Sequence, residues 1–370
     1  MPAAPRIAPN QLFAPEDWAP FRARSAVAGP LLVVHCWGVI ALAVALGIWI
    51  PWLIPLSIMI IGTRQLGLAI LMHEAAHGGL SRNLTLNDFL GHWLCAVPVG
   101  ASLNNYRPYH LSHHRFAQQA EDPDLILSAP FPVSPASLRR KLIRDLTGQT
   151  FFKQRALLPL AALRGRQAAR ATDDHAYEAL VTGRSILPFV LVNAGMLAGF
   201  AAAGVWWAYF VLWLLPMATW FPMVTRIRNI AEHACVEGSA ADAFRAARTT
   251  RANWLERAFI APYWVNFHAE HHLFMWVNSY NLPLLHEKLR EKGLLDRMEV
   301  APGYLSVLRE ASGRPAPPAS PQARSAMRQL RTSPNHRNLT ADVYRRLERG
   351  TGRDEQSRSS SAHTLRQASL

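Results

Sequence analysis

Two long segments of the chain contain no charged side chain. The first runs from Ser25 to Thr63, 39 residues without Asp, Glu, Lys or Arg, and the second from Ser185 to Thr225, 41 residues. One membrane-crossing helix needs about 20 apolar residues, because it rises about 1.5 Å per residue through a hydrocarbon core of about 30 Å. Each segment is therefore long enough for two passes. Each is also interrupted near its middle, at Pro51-Trp52 and at Gly204, which predicts two transmembrane hairpins.

The hairpins predict an all-α integral membrane fold with four transmembrane helices. The alternative is a pair of core helices in a soluble protein, but soluble helices of this length normally carry a charged face. The net charge of +14 comes from segments outside the hairpins, 139–145, 164–170 and the C-terminal tail, and neither hairpin tip is charged. By the positive-inside rule, both termini and the central segment are expected in the cytoplasm, in a multi-pass protein of a bacterial inner membrane. Basic residues do not alternate with stacking aromatic residues, so lipid and not nucleic acid is the expected partner.

Composition divides the chain into three regions. We predict a polar N-terminal segment at 1–29, a membrane domain at 30–310 and a disordered basic tail at 311–370. Inside the membrane domain, 87–102 is apolar but too short to cross and is expected to be interfacial or re-entrant. The stretch 135–180 alternates basic and apolar residues, as an amphipathic surface helix does. Because both hairpins return to one side, polar clusters that follow them can meet in a cytoplasmic helical cap.

Histidine is concentrated in three short clusters, HEAAH at 73–77, HLSHH at 110–114 and HAEHH at 268–272, which hold eight of the 15 histidines. Residues three or four apart share one helix face, so each cluster aims its imidazoles in one direction. Converging neutral imidazoles are typical of metal sites, and eight are too many for one ion. We therefore predict two metals bound by His73, His77, His110, His113, His114, His268, His271 and His272. Imidazole suits iron, copper, nickel and zinc, so the residues alone do not select the metal.

Outside these clusters, the sequence RNIAEHA places Asn229 and His233 four residues apart, just beyond the second apolar segment. His233 is expected on the same side of the membrane as the clusters and is a candidate ninth ligand. The alternative is a surface histidine near a helix end. His35, His175, His286, His336 and His363 are interpreted as ordinary hydrogen-bonded core or surface groups.

The order of these motifs resembles the integral-membrane fatty acid desaturase superfamily over residues 30 to 300. An HxxxH cluster follows the first hairpin, an HxxHH cluster comes soon after, and a second HxxHH cluster follows the second hairpin. The flanking stretches NYRPYHLSHH, EDPDL and HHLFMWVNSYNLPLLH are similar too. The resemblance implies a non-haem di-iron centre that oxidises an unactivated C–H position with molecular oxygen and two external electrons.

The resemblance also implies roles for individual residues. The eight clustered histidines and His233 would bind the two irons, and Asn229 would hold a water or lie just outside the ligands. Glu74, Glu232 and Glu270, each beside a ligand, would orient imidazoles. Asp122 and Asp124 would either do the same or form the turn at EDPD. No catalytic side chain is expected beyond the metal centre.

Substrate assignment is open at this stage. The HxxxH spacing resembles enzymes that act on acyl lipids, so a fatty acyl lipid or a similar amphiphilic chain is the first expectation. However, relatives usually have Pro-x-Val-Pro after HHLF, where this chain has Met275-Trp276-Val277-Asn278. A desaturase of a small amino-acid-derived metabolite of the dihydrorhizobitoxine type and a carotenoid hydroxylase or ketolase are alternatives. HEAAH also fits HExxH, so a zinc metalloprotease is a remote alternative, but it would leave both HxxHH clusters unexplained. The last alternative is a structural membrane protein without enzyme activity.

Electrons are expected to come from another protein. The three cysteines, Cys36, Cys95 and Cys235, form no CxxC, and no flavin-binding or fused haem motif is visible. The resemblance therefore implies a ferredoxin or a small cytochrome with its reductase, which would dock on the basic cytoplasmic face.

Overall fold

The computed structural model describes residues 6–22, 24–119, 121–155, 183–236 and 242–313. The helices in the first half are α1 (Pro15–Arg22), α2 (Ala28–Trp49), α3 (Ile54–Ala76), α4 (Leu84–Phe89), α5 (Leu103–Phe116), α6 (Leu125–Ser128), α7 (Pro135–Leu146) and α8 (Gln149–Arg155). Those in the second half are α9 (Gly183–Ala202), α10 (Trp206–Ala208), α11 (Leu215–Ala218), α12 (Trp220–His233), α13 (Trp254–Phe259), α14 (His268–Leu273), α15 (Leu282–Glu291) and α16 (Tyr304–Gly313). The chain divides into two compact units, Met1–Pro315 and Ala316–Leu370, and every described residue belongs to the first.

Three described helical stretches are long and apolar enough to cross a membrane: Ala28–Trp49, Pro51–Ala76 and Trp206–His233. The predicted break at Pro51 is present, because α2 ends at Trp49 and a short 3-10 turn, Pro51–Leu53, precedes α3. The predicted break at Gly204 separates α9 from α10, and Gly204 has a positive φ. The apolar part of α9, Ile186–Ala202, is shorter than the other three stretches.

Helix α3 lies at the centre of the membrane region and packs against both α2 and α12. Gly62 allows the close approach to α12, since a Cβ at this position would lie 2.7 Å from Trp220 Cβ. Small residues at such crossings are typical of membrane helices, which gain stability from close van der Waals packing. The approach brings the carboxyl ends of α3 and α12 to the same end of the bundle.

Asn193 joins α9 to the rest of the bundle. Its side-chain oxygen accepts hydrogen bonds from Tyr209 Oη at 3.2 Å and Trp213 Nε1 at 2.9 Å, and its Nδ2 donates to Phe189 O at 2.9 Å. A buried amide in an apolar helix needs such partners because hydrocarbon offers none.

Replacing Asn193 with leucine is expected to lower the free energy of unfolding by roughly 1–2 kcal/mol. The two buried donors would lose their acceptor, while leucine keeps the branched shape of the side chain. Thermal unfolding in detergent, followed by circular dichroism, measures the effect. Ala201→Leu, at an exposed position of the same helix, is the control, and equal unfolding midpoints for the two variants would contradict this role.

The predicted interfacial stretch is a short amphipathic helical segment. Helix α4 continues as a π-helix, Leu90–Ala96, and ends in a 3-10 turn, Val97–Val99. Phe89 and Trp93 are exposed, whereas Cys95 and Val97 are buried. An apolar outer face on a helix too short to span is typical of a segment lying at the membrane interface.

The structure contains a small sheet that the sequence did not predict. Strands β1 (Arg248–Thr250) and β2 (Glu299–Ala301) pair in parallel, with Thr249 opposite Val300. Each strand has only three residues, too few for an alternating pattern to be recognised in sequence. The fold is therefore mostly helical with a two-stranded sheet under α14.

The predicted N-terminal segment packs against the helices that carry and follow the third histidine cluster. Phe13 and Trp18 stack with ring centroids 5.3 Å apart, and Trp18 packs on Phe274 at 4.8 Å. Phe13 and Phe21 are buried in the same apolar cluster, which supports α14 and α15. Of the predicted surface helix at 135–180, α7 and α8 are described and the remainder lies outside the described residues, as does the predicted tail beyond Gly313.

Candidate metal centre

Four chain segments bring nine histidines to one place. His73 and His77 lie at the end of α3, and His233 is the last residue of α12. Helix α5 carries the second cluster and α14 carries the third. All nine are the histidines that the sequence analysis selected.

The nine rings form two groups. The first contains His73, His77, His110, His114 and His271, and the second contains His113, His233, His268 and His272. Within each group, one ligand nitrogen per residue lies within 4.8 Å of every other. Among the described residues, these two groups have the number of donor atoms and the spacing that a metal site requires.

The distances between facing nitrogens fit metal ligands. His110 Nε2 lies 2.9 Å from His77 Nε2 and 3.0 Å from His114 Nε2, and His268 Nε2 lies 2.9 Å from His233 Nε2. Two neighbouring ligands at right angles on one metal, each bound at about 2.1 Å, would be about 3 Å apart. Hydrogen bonds between the rings cannot account for both short distances from His110 Nε2, because each neutral ring carries only one N–H. His73 Nε2 is buried and has no hydrogen-bond partner among the described residues. The donor set therefore fits two nitrogen-bound metal ions.

Burial keeps most of these rings neutral, the form that binds metal. Burial, followed by the nearby charges of Arg107 and Arg24, lowers the pKa of His77 to about 3. Burial is also the main cause of the lowered pKa values of His110, His114, His268, His271 and His272. Protons therefore compete weakly for these nitrogens at neutral pH.

His113 differs because it has a carboxylate partner. Its Nδ1 donates to Asp122 Oδ1 at 2.8 Å, and both side chains are buried. Burial alone would lower the pKa of His113, but the Asp122 charge and hydrogen bond raise it to about 9. Backbone N–H groups of Gln118 and Asp124 hold Asp122 in place, so the EDPD turn and the orientation of His113 depend on the same residue. The bond directs Nε2 towards the second group.

Replacing Asp122 with alanine is expected to weaken metal binding to the second group by about 10–100-fold, since His113 would lose the partner that fixes its ring. Metal titration of the purified protein measures this. Asp122→Asn keeps an acceptor and should recover part of the affinity, and Asp296→Ala, at an exposed position, should have no effect. Unchanged affinity in Asp122→Ala would contradict the orienting role.

The three glutamates beside the ligands have different contacts. Glu74 Oε1 accepts from Asn278 Nδ2 at 3.3 Å and Ser279 N at 3.2 Å, which connects the first cluster to the loop after the third. Glu232 accepts from Arg228 Nε at 2.5 Å, and its other oxygen lies 3.5 Å from His268 Nε2. Glu232 alone of the three contacts a ligand ring.

Glu270 anchors the helix of the third cluster. Its carboxylate accepts from the Thr249 hydroxyl and from His286 Nδ1, the latter at 2.5 Å. Thr249 Oγ1 also accepts from Ala269 N at 3.2 Å. Glu270 thus acts on the ligands by fixing α14 to β1 and α15.

Sequence reasoning missed the roles of His286, Thr249 and Asn278. His286 is a buried hydrogen-bonded group, as interpreted, but its partner is a residue of the third cluster. Asn278 stands where relatives usually have proline, and its Nδ2 donates to Gly79 O at 2.6 Å as well as to Glu74. Trp276, in the same divergent loop, lies with its ring centroid 5.8 Å from that of His77. The departure from the family motif was the available signal for Asn278; nothing local distinguished Thr249.

Asn229 lines a cavity beside the second group. The cavity also contains Tyr106, Asp124, Arg228 and Glu232, and it touches ligands of both groups. The role that the resemblance implies for Asn229 stays a prediction.

Comparisons with known proteins agree with this arrangement. A family model described as "Fatty acid desaturase" matches residues 47–301, a range that includes all nine histidines. The chain is 28% identical over 251 residues to dihydrorhizobitoxine desaturase of Bradyrhizobium elkanii, covering 67% of this chain and 71% of that protein. It is 24% identical over 271 residues to sn-1 oleoyl-lipid 12-desaturase of Synechocystis sp., covering 67% and 73%. A match over most of the chain, together with two groups of converging histidines, identifies the protein as an oxidoreductase of the fatty acid desaturase family.

Proposed function

We propose that this protein is a membrane-bound, oxygen-dependent desaturase that binds two irons and introduces a C=C bond into an amphiphilic substrate. The observation that carries the proposal is the division of nine histidines, seven of them buried, into groups of five and four on the framework of this family. The overall reaction would remove two hydrogens from adjacent carbons. The two hydrogens from the substrate, together with two external electrons and two protons, would reduce one O2 to two waters.

Each group would hold one iron. His73, His77, His110, His114 and His271 would bind the first, and His113, His233, His268 and His272 the second. Iron there would supply the oxygen chemistry that breaks an unactivated C–H bond. The residues of the chain would orient the ligands, through Asp122 and Glu270, and exclude bulk water from a site most of whose rings are buried. Asn229 would hold a water beside the second iron.

The membrane arrangement is part of the proposal. We place α9 as a fourth crossing helix, which makes two hairpins with the cap and both termini in the cytoplasm of a bacterial cell. The hydrogen bonds of Asn193 and the basic segments outside the hairpins support this arrangement. The electron donor, a ferredoxin or a small cytochrome with its reductase, would then approach from the cytoplasm.

Two substrate classes follow from the relatives, fatty acyl lipids and small amino-acid-derived metabolites. Mass spectrometry of lipids and polar metabolites, in cells that carry or lack the gene, tests the function. A compound that loses two hydrogen atoms only when the gene is present identifies desaturation. A gain of one oxygen atom would instead indicate a hydroxylase or ketolase.

The metalloprotease interpretation of HEAAH has no support in this arrangement. His73 and His77 share their group with three further histidines, whereas a protease zinc site leaves a position open after three protein ligands. The Glu74 carboxylate, which would be the general base, is hydrogen-bonded to Asn278 and Ser279. Two irons per chain in a metal analysis would exclude the protease.

A further inference from the structure

An apolar groove lies in the membrane region between α2 and α9. It has a volume of about 350 Å³. One wall is a face of α2 from Trp37 to Trp49, and the other is formed by Met196 and Phe200 of α9 together with Trp213. Helix α2 and the stretch that contains Trp213 are both long and apolar enough to cross a membrane. We call this feature the α2–α9 groove.

The wall of the α2–α9 groove offers apolar contacts, and none of its lining side chains is charged. The indoles of Trp37 and Trp213 stack with ring centroids 5.7 Å apart. Trp37 Nε1 donates to Leu94 O and Trp213 Nε1 donates to Asn193 Oδ1, each at 2.9 Å. Both N–H groups are therefore already hydrogen-bonded to the protein. A ligand of this groove needs no polar group along its length, and a polar group there would lose its water without replacement.

The α2–α9 groove extends away from the metal centre. The end of α2 nearer the histidines is marked by Gly29, which packs on Leu80, three residues after His77. Trp37 lies about 12 Å beyond Gly29 along the helix, and Trp49 lies about 18 Å beyond Trp37. The latter length is close to the roughly 15 Å of hydrocarbon in one leaflet of a bilayer. The groove therefore lies in the leaflet farther from the metal centre and is separate from that centre.

The width of the α2–α9 groove distinguishes a lipid chain from a helix. Its volume, spread over about 18 Å, corresponds to a mean cross-section of roughly 20 Å². An α-helix with its side chains is about 10 Å across, which corresponds to roughly 80 Å². A hydrocarbon chain is roughly 5 Å across, because carbon atoms in contact are about 4 Å apart, and this corresponds to roughly 20 Å². One hydrocarbon chain would therefore fill the groove, whereas a helix of a second copy would not enter it.

The far end of the α2–α9 groove lies where a lipid headgroup would be. At the turn between α2 and α3, the side chains of Trp49 and Trp52 are 78% and 77% exposed. Exposed tryptophans at the end of a membrane helix are typical of the headgroup level. We propose that the groove binds one acyl chain of a membrane lipid, with its headgroup near Trp49 and Trp52 and its chain extending to Trp37. The chain would hold α9 against α2, in addition to the hydrogen bonds of Asn193.

The first test compares lipids on the delipidated full-length protein in detergent. Native mass spectrometry counts the lipids that each chain retains, and thermal unfolding measures the midpoint. Dioleoyl-phosphatidylcholine and dioleoyl-phosphatidylglycerol should each leave one retained lipid and raise the midpoint by roughly 2–4 °C. Dihexanoyl-phosphatidylcholine, whose chains are too short to fill the groove, should do neither. Equal effects of long and short chains would overturn the proposal. Binding of the glycerol lipid alone would also overturn it, because it would indicate recognition of an anionic headgroup.

The second test fills the groove with side chains. Ala41 and Ala45 lie four residues apart on the α2 wall, and the double variant Ala41→Phe with Ala45→Phe should lose both the retained lipid and the rise in midpoint. Leu42→Phe is the matched control and should keep both, because Leu42 is exposed on the same helix outside the groove. A lipid that the double variant retains would overturn the assignment. Loss of a dimer, with the lipid count unchanged, would instead assign the groove to a second copy.

If the double variant does not fold, Ile48→Phe narrows the same groove near its outer end and should lower lipid retention. The comparison of long-chain and short-chain lipids on the unmodified protein then still decides the question.

Discussion

Replacing His271 with alanine is expected to remove iron from the five-histidine group and to lower activity by at least about 100-fold. His271 is the only member of that group that α14 contributes, and its Nε2 lies 3.0 Å from His114 Nε2. Removing a hydrogen-bond partner of a ligand already lowers metal affinity or activity about 10–100-fold in such sites, so removing a ligand should lower them further. Iron per chain, measured by atomic emission, and oxygen consumption with the electron donor present are the two readouts.

His113→Ala is the companion variant because it should empty the other group instead. His92→Ala is the control, since His92 lies in the π-helix Leu90–Ala96 and belongs to neither group. All three variants should insert into the membrane like the parent protein. If His271→Ala or His113→Ala retained two irons per chain, the assignment of that histidine as an iron ligand would be wrong.

Replacing Asp145 with alanine is expected to lower the free energy of unfolding by about 3–5 kcal/mol, the largest stability effect that we expect outside the metal centre. Asp145 of α7 is fully buried, and its carboxylate accepts from Arg226 Nε at 2.5 Å and from Arg226 Nη2 at 2.9 Å. The Thr150 hydroxyl donates to the same carboxylate at 2.5 Å. Without Asp145, a buried guanidinium would remain without its counter-charge, so α7 should separate from α12.

The double variant Asp145→Leu with Arg226→Met distinguishes the cost of an unpaired charge from lost packing. Buried pairs replaced on both sides by apolar residues are often neutral, so the double variant should recover most of the lost stability. Glu287→Ala, which breaks an exposed ion pair with Arg290, should leave the unfolding midpoint unchanged. Thermal unfolding in detergent measures all three. A double variant as unstable as Asp145→Ala would show that packing, and not charge, is responsible.

The assignment of histidines to the two groups follows a simple spacing rule. In each cluster, histidines four residues apart share a group: His73 with His77, His110 with His114, and His268 with His272. The histidine at the fourth position of each HxxHH cluster, His113 or His271, belongs to the other group. Four residues advance a helix by about 40° beyond a full turn, whereas three fall about 60° short, so the two directions diverge. This separation was contained in the spacing, although the sequence could not show which rings would meet.

Other contacts at the centre were beyond sequence reasoning because their partners are far apart in the chain. Glu74 and Asn278 are separated by 204 positions. The hydrogen bond of Asp122 to His113 spans only nine positions, and the EDPD turn made it a candidate in advance. Local chemistry could therefore be predicted, whereas the long-range anchors of the clusters could not.

The sequence by itself predicted a membrane protein and a metal site made of histidines, because uncharged length and imidazole spacing are local properties. Only the tertiary structure decided that nine rings from four segments divide into five and four, and that Arg228 and Asn229 line a cavity with four of them. Those facts depend on how α3, α5, α12 and α14 pack, and packing depends on contacts between residues that are distant in the chain.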